Sequence, residues 1–348
     1  MTFDIALYLG QNGVTLAAIY ALLAFALVLV FAVTRVIFIP QGEIMTFAAL
    51  SLVAMRSGHP PLLAWLLVGL GIVAWLQDGS ALLRAGQAHR LVRAGVVNLL
   101  PAALLLAAVY TLPLATLAYP VQIAITLAMC AVFGPLLYRV VYAPAAQASV
   151  LTLLLLSVAL HIALNSLGLL LFGPEGSQLP AFTDGSFQLG GMPVDLQTLW
   201  ILGSSVVLLA ALFVFFRFSL YGKALRATAV NRTGAQLMGI SPAFAGRAAF
   251  LLAGVVGAWS GILVATTTVI DYEAGFVIGL KGFVAAIIGG LASYPAAAAG
   301  ALLVGLTESF ASFWASAYKD VIVFSLILPV LLWRSLAQGS GVHQEDEE

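Results

Sequence analysis

The chain has 348 residues, of which 62% are hydrophobic and only 8% charged, and its mean hydropathy is +1.10. A soluble domain carries about 25% charged residues, so this composition excludes a water-covered globule and points to an all-α, polytopic transmembrane helix bundle. A transmembrane β-barrel would show roughly ten-residue alternating segments, whereas the apolar runs here are long and continuous; a net charge of +0 gives no reason to expect nucleic acid as a partner.

Runs of about 20 apolar residues cross a bilayer, and shorter ones are tilted, re-entrant or broken. Spans are predicted at 14–33, 62–76, 97–117, 121–141, 150–172, 199–216, 248–269 and 320–333. Shorter segments at 44–54, 276–291 and 296–314 bring the total to roughly eight to eleven membrane segments. The first basic residue, Arg35, follows the first apolar run. No positively charged leader precedes that run, so no cleaved signal is expected. The single cysteine, Cys130, sits inside an apolar run and reads as packing.

Lysine and arginine set the orientation. Arg217, Lys223, Arg226, Arg232 and Arg247 cluster around one loop, which is therefore expected inside. One span away, residues 173–197 carry Glu175, Asp184 and Asp195 and no basic residue, as an external loop should. Counting spans backwards puts Arg139, the segment with Arg84, Arg90 and Arg93, and Arg35 inside, and the N-terminus outside. Counting forwards puts Asp271 and Glu273 outside and the C-terminus in the cytoplasm. Arg56 is the main exception.

Residues 77–94 are read either as an amphipathic helix on the inner surface, with Leu82, Leu83, Leu91 and Val92 on its apolar side, or as an ordinary linker. Residues 173–193 are rich in Gly, Pro and Ser and predict an irregular external loop. The chain thus divides into a membrane domain, 1–338, and a short polar tail, 339–348, expected in the cytoplasm. Within the domain lie an inner hairpin, 218–245, and the external loop, 173–197.

The polar stretch 222–242 predicts a short helix–turn–helix. Ala224, Ala227 and Ala235 favour helix. Thr233 is suited to cap a second helix and Gly239 to end it in the left-handed conformation. Ser241 and Pro242 suit the start of the next membrane helix. Small residues beside Arg226 would let a partner approach closely and bond directionally; a merely basic inner loop would look similar.

These residues carry a resemblance. Gly222, Lys223, Ala224, Arg226, Ala227 and Ala229, then Ala235, Gly239 and Ile240, resemble the cytoplasmic loop of the branched-chain amino-acid (Liv-type) ABC transporter inner-membrane permeases. A second signature of that family is similar to Gly279, Lys281, Phe283, Ala285, Ala286, Gly289, Gly290, Ser293, Pro295, Gly300, Gly305 and Glu308. Tyr318, Lys319 and Asp320 fit the first of its two paired permeases, and residues 12–22 look like its opening helix. The chain departs from the family at 38–41, where Phe38, Ile39, Pro40 and Gln41 replace N-F-A-H before Gly42 and Glu43. It also departs after Tyr142, where Ala143, Pro144, Ala145 and Ala146 follow, after Arg334, where Ser335 follows, and in a longer segment at 77–94.

The resemblance implies a non-enzymatic importer permease of the bacterial inner membrane. It would work with two cytoplasmic ABC ATPase subunits, a second permease subunit and a periplasmic or extracellular solute-binding protein, with lipid around it. Lys223 is followed by Ala224 and lacks the upstream glycine of a phosphate loop, so no nucleotide or other cofactor is expected here. Gly222, Lys223, Arg226, Ala227, Asn231 and Gly239 are the candidates for coupling to the ATPases.

Polar residues within lipid mark possible pathway positions. Gln41, Gly42 and Glu43 stand at a break between apolar runs, on an interrupted helix or at the inner interface. Gly289 and Gly290, with Ser293 and Pro295, interrupt the second half, and paired breaks point to an internal repeat around a central pathway. Lys281 and Glu308 are candidates for a pair across helices, unless Lys281 snorkels. His161 and Asn165 share a helix face, for the pathway or for helix packing. No catalytic pair or metal-ligand spacing stands out. Rival readings are an ABC permease for urea, short amides or aromatic carboxylates, and a secondary active transporter; the latter lacks an obvious coupling cluster.

Overall fold

A computed structural model describes residues 3–189, 192–291 and 293–339. It is 80% helical, and among the described residues nine helices are long and apolar enough to cross a membrane. The polar tail lies outside the described residues apart from Gly339.

The opening helix, α1 (Phe3–Thr34), is one unbroken apolar run without proline. It ends at Arg35, in the left-handed region at φ 63°. Residues 36–40 then lie without regular hydrogen bonding, with Val36 and Phe38 buried, until Pro40 starts α2 (Gln41–Arg56). Pro40 cannot continue a helix from before it, because it has no N–H, but it leaves the next turn free to form.

Helix α3 (Leu63–Arg84) turns at Gly86 (φ 68°) and a 3-10 turn, Ala88–Arg90, into α4 (Leu91–Thr111). The segment 77–94 is thus neither a surface helix nor a linker. It extends the α3–α4 hairpin by a turn or more at each end, with Leu82 and Leu91 half-buried and Leu83 and Val92 exposed. Helix α5 (Tyr119–Leu137) carries Pro135 and runs on into a π turn, Tyr138–Tyr142, where the Ala143 N–H donates to the Tyr138 carbonyl at 2.7 Å. Helix α6 (Val150–Phe172) is capped by Ser149.

The loop expected to be irregular contains an antiparallel pair, β1 (Ser186–Leu189) and β2 (Met192–Asp195), with Ser186 opposite Asp195. Its earlier part is tied down by backbone bonds between Ser177 and Ile270 and from Leu179 to Ala265. Turn-forming composition was legible there; ladder pairing was not. Helices α7 (Leu196–Phe218), α8 (Leu220–Val230), α9 (Arg232–Leu237) and α10 (Pro242–Ala265) follow. The chain ends with α11 (Ala274–Ile288), α12 (Tyr294–Trp314), α13 (Lys319–Ser325) and α14 (Ile327–Gly339).

Helices α1 and α10 form the centre, packed on each other and on α2, α5, α11 and α12. Helices α3, α4, α6 and α7 lie around them, with few of their residues buried. In water such surfaces would be a liability, but in lipid they are the expected outer face. The contacts at the centre are backbone to backbone. Gly134 lies on the Phe250 carbonyl, Gly254 on that of Cys130, and Gly261 on that of Met45. Small residues let membrane helices gain van der Waals contact where no hydrophobic drive exists between them.

Candidate functional site

Helix α2 does not cross the membrane domain. The Gln41 amide donates to the Ala253 carbonyl at 3.0 Å, and Ala253 lies half-way along α10. Beside it, the short α11 begins: Gly42 and Gly275 touch through their backbones, and Gly279 also lies against Gly42. Gly275 faces Gly42 and Thr46, while Gly279 faces Gly42 alone, so the two short helices start side by side and run in opposite directions. A break in the first half thus meets a break in the second half at mid-depth. The matching break lies at Gly275. Gly289 and Gly290 close the other end of α11, where Gly289 packs on Ala297 and Gly290 turns the chain at φ 71°.

Glu43 stands in the first turn of α2 and is 1% exposed. Its Oε1 is 2.5 Å from His161 Nδ1, and its Oε2 has no hydrogen-bond partner. His161 lies half-way along α6 and stacks on Phe276 of α11, with ring centroids 4.1 Å apart and planes 20° from parallel. Near these groups, the Gln41 Oε1, Thr46 Oγ1 and Asn165 Oδ1 are also buried without partners. A buried polar group without a partner costs several kcal/mol in an apolar medium, by order of magnitude about 2–7. Such a cluster of unpaired polar atoms is uncommon inside a membrane bundle.

A second polar group links four helices. Lys281 Nζ on α11 lies 2.5 Å from Glu308 Oε1 on α12 and 2.9 Å from Asp320 Oδ1 on α13. The Tyr20 hydroxyl of α1 donates to Glu308 Oε2 at 2.5 Å. Lys281 and Glu308, which the sequence offered as a pair, are therefore joined, and Lys281 does not snorkel away. Tyr20 carried no signal, since an aromatic in an apolar run reads as packing. A third group, Asp78, Asn98 and Arg139, ties the α3–α4 hairpin to the π turn: Asn98 donates to Asp78 at 2.9 Å and Arg139 pairs with Asp78.

The hairpin between α7 and α10 is built from its caps. Ser219 accepts from the Gly222 N–H at 2.9 Å to start α8, and Asn231 accepts from the Gly234 N–H at 2.8 Å to start α9. Asn231, not Thr233, is the cap of the second helix. Gly239 has φ 84°, which favours glycine where the chain leaves α9. Gly222 packs on the backbone of Phe215 and Phe216, where any side chain would collide. Leu225, Thr228 and Ala235 are buried, and α8 rests on both α1 and α10. Lys223, Arg226, Ala227 and Asn231 point outward. Around them Val230, Leu237 and Met238 are 86%, 84% and 84% exposed.

The family model described as "Branched-chain amino acid transport system / permease component" matches residues 90–331. The chain belongs to that family. This permease is 27% identical to the high-affinity branched-chain amino acid transport system permease protein LivH of Escherichia coli K12, over 92% of its own length and 91% of that protein's. The LivH protein of Salmonella typhimurium gives the same identity and coverage. The permease is also 30% identical to the permease protein BraD of Pseudomonas aeruginosa, over 58% of its own length and 68% of BraD's. No solved structure matches it. It is a multi-pass transmembrane transport component.

Proposed function

We propose that this permease is the membrane subunit of an ABC importer in the bacterial inner membrane, carrying branched-chain amino acids or a similar small solute. Two cytoplasmic ATPases, a second permease and a solute-binding protein complete the assembly. The observation that supports this reading is the hairpin. It projects Arg226 and Lys223 among uncovered Val230, Leu237 and Met238, at the end of the bundle richest in basic residues. An apolar patch beyond the membrane helices calls for a protein partner, and positive charge concentrates at the cytoplasmic side. The relatives LivH and BraD, described as branched-chain amino acid permeases, support the solute class.

On this reading the ATPases grip the hairpin and move it on ATP binding. Gly222 and Leu225 seat α8 against the core, so the motion passes into α1 and α10. These two helices carry the crossing of α2 and α11 between them. Gln41, Gly42 and Glu43 at the crossing, with Lys281, Glu308, Gly289 and Gly290 along α11 and α12, are the proposed pathway elements. Discontinuous helices meeting at mid-depth are where transporters place solute sites.

The test is co-purification of the tagged permease from its native membrane. An ATPase and a second permease are expected in the complex, and reconstituted vesicles are expected to take up leucine only with ATP and the binding protein. A permease that purifies alone and drives uptake from an ion gradient would replace this reading with a secondary transporter.

A further inference from the structure

At the end opposite the hairpin, a cavity of about 420 Å³ opens between α1, the β1–β2 pair, the start of α7 and the end of α10. This volume lies within the usual range for small-molecule sites, about 300–1,000 Å³. Gln11, Thr15, Asp184, Asp195, Thr198 and Thr267 are among its lining residues, which include no Lys, Arg or His. Neither aspartate is ion-paired among the described residues, and Asp195 does not use its carboxylate to cap α7. The Gln11 Oε1 is buried without a partner, and the Thr15 hydroxyl donates back to the Gln11 carbonyl at 2.9 Å. The walls are held firm: Gln197 bridges the Phe182 N–H and the Thr266 hydroxyl at 2.8 and 2.7 Å.

Two unpaired carboxylates and the free Gln11 acceptor thus give this polar cavity negative charge that no basic lining residue offsets. An ammonium group has three donors and no acceptor, whereas a lone carboxylate would meet two like charges. We propose that this cavity is an entry site that binds a small solute through its primary ammonium group. The proposal takes the amino-bearing solute from the transport reading above.

The cavity is tested on the permease in membrane vesicles by Thr198→Cys, against a background in which the single native cysteine, Cys130, is buried. A cationic methanethiosulfonate reagent is expected to label this site faster than an anionic one, roughly tenfold, the low end of electrostatic focusing in a charged cleft. Adding Asp184→Asn and Asp195→Asn should erase the preference. L-Leucine and 3-methylbutylamine, which carry the ammonium group, should slow labelling, and 4-methylpentanoate, which lacks it, should not. Leu199→Cys, beside the cavity but outside its lining, serves as the unprotected control. Equal labelling by the two reagents, or protection by the acid as strong as by the amine, overturns the proposal. These outcomes need no ATPase, so a failure here is distinct from a failure to co-purify one.

Discussion

Lys281 carries one charge buried between two carboxylates and their tyrosine. Its value to the fold comes from what removing it would leave behind. A carboxylate deprived of its buried counter-charge destabilises a protein by about 3–5 kcal/mol, whereas an apolar replacement of both partners is often neutral. Lys281→Met alone is therefore expected to lower the thermal midpoint of the purified permease sharply. Lys281→Met with Glu308→Gln should recover most of the loss. Equal midpoints for the single variant and the native chain would show that the pair is not needed for the fold. The pairing was partly legible, because a lysine and a glutamate in adjacent apolar segments have few alternatives. Asp320 was visible as an acid near a span, and Tyr20 not at all. Likewise His161 showed the helix face it shares with Asn165, but not its partner Glu43, 118 residues away: side chains from distant segments meet only through the packing of helices.

At the scale of the element, the crossing of α2 and α11 depends on the absence of side chains. A Cβ at Gly42 would fall on the Gly275 carbonyl, whose backbone cannot give way as a side-chain tip can. Gly42→Ala should therefore push the two helices apart, with loss of folded protein in detergent by size-exclusion chromatography. Gly203→Ala, where a Cβ meets nothing within 4 Å, is the matched control and should behave as native. In the hairpin, Asn231→Ala removes the acceptor for the Gly234 N–H and should destabilise α9 by about 1 kcal/mol. Faster amide exchange over residues 232–237, with α8 unchanged, is the expected signature. Ser241 was readable as the residue before α10, although its side chain makes no capping bond there. Asn231 was also a good cap by type, but a threonine two residues on competed for the role, and only backbone geometry decides which side chain meets a free N–H.

At the scale of the whole molecule, the hairpin and the crossing are joined by α1 and α10. If the hairpin transmits force, reversing its charge should leave the bundle intact and stop its work. Arg226→Glu, an exposed position, is expected to insert and fold normally yet to abolish ATP-driven uptake in the reconstituted assembly, while the ATPase still turns over. Native uptake by this variant would remove Arg226 from the coupling surface. The basic end and the acidic cavity at the other end also divide the chain's charges, although its net charge is +0.

Composition by itself determined that this is a membrane bundle, because so few charges cannot clothe a water-facing surface. Apolar length determined most of the spans, and the glycine, alanine and arginine pattern at 222–240 pointed to the permease family. Tertiary structure alone decided that α2 begins half-way across the bundle, that Gly42 meets Gly275 rather than Gly289, and that Glu43, His161 and Phe276 form one site. The physical reason is that hydropathy is a one-dimensional quantity, set by what lipid tolerates. Depth, direction and pairing of short helices are set by backbone approach between segments hundreds of residues apart.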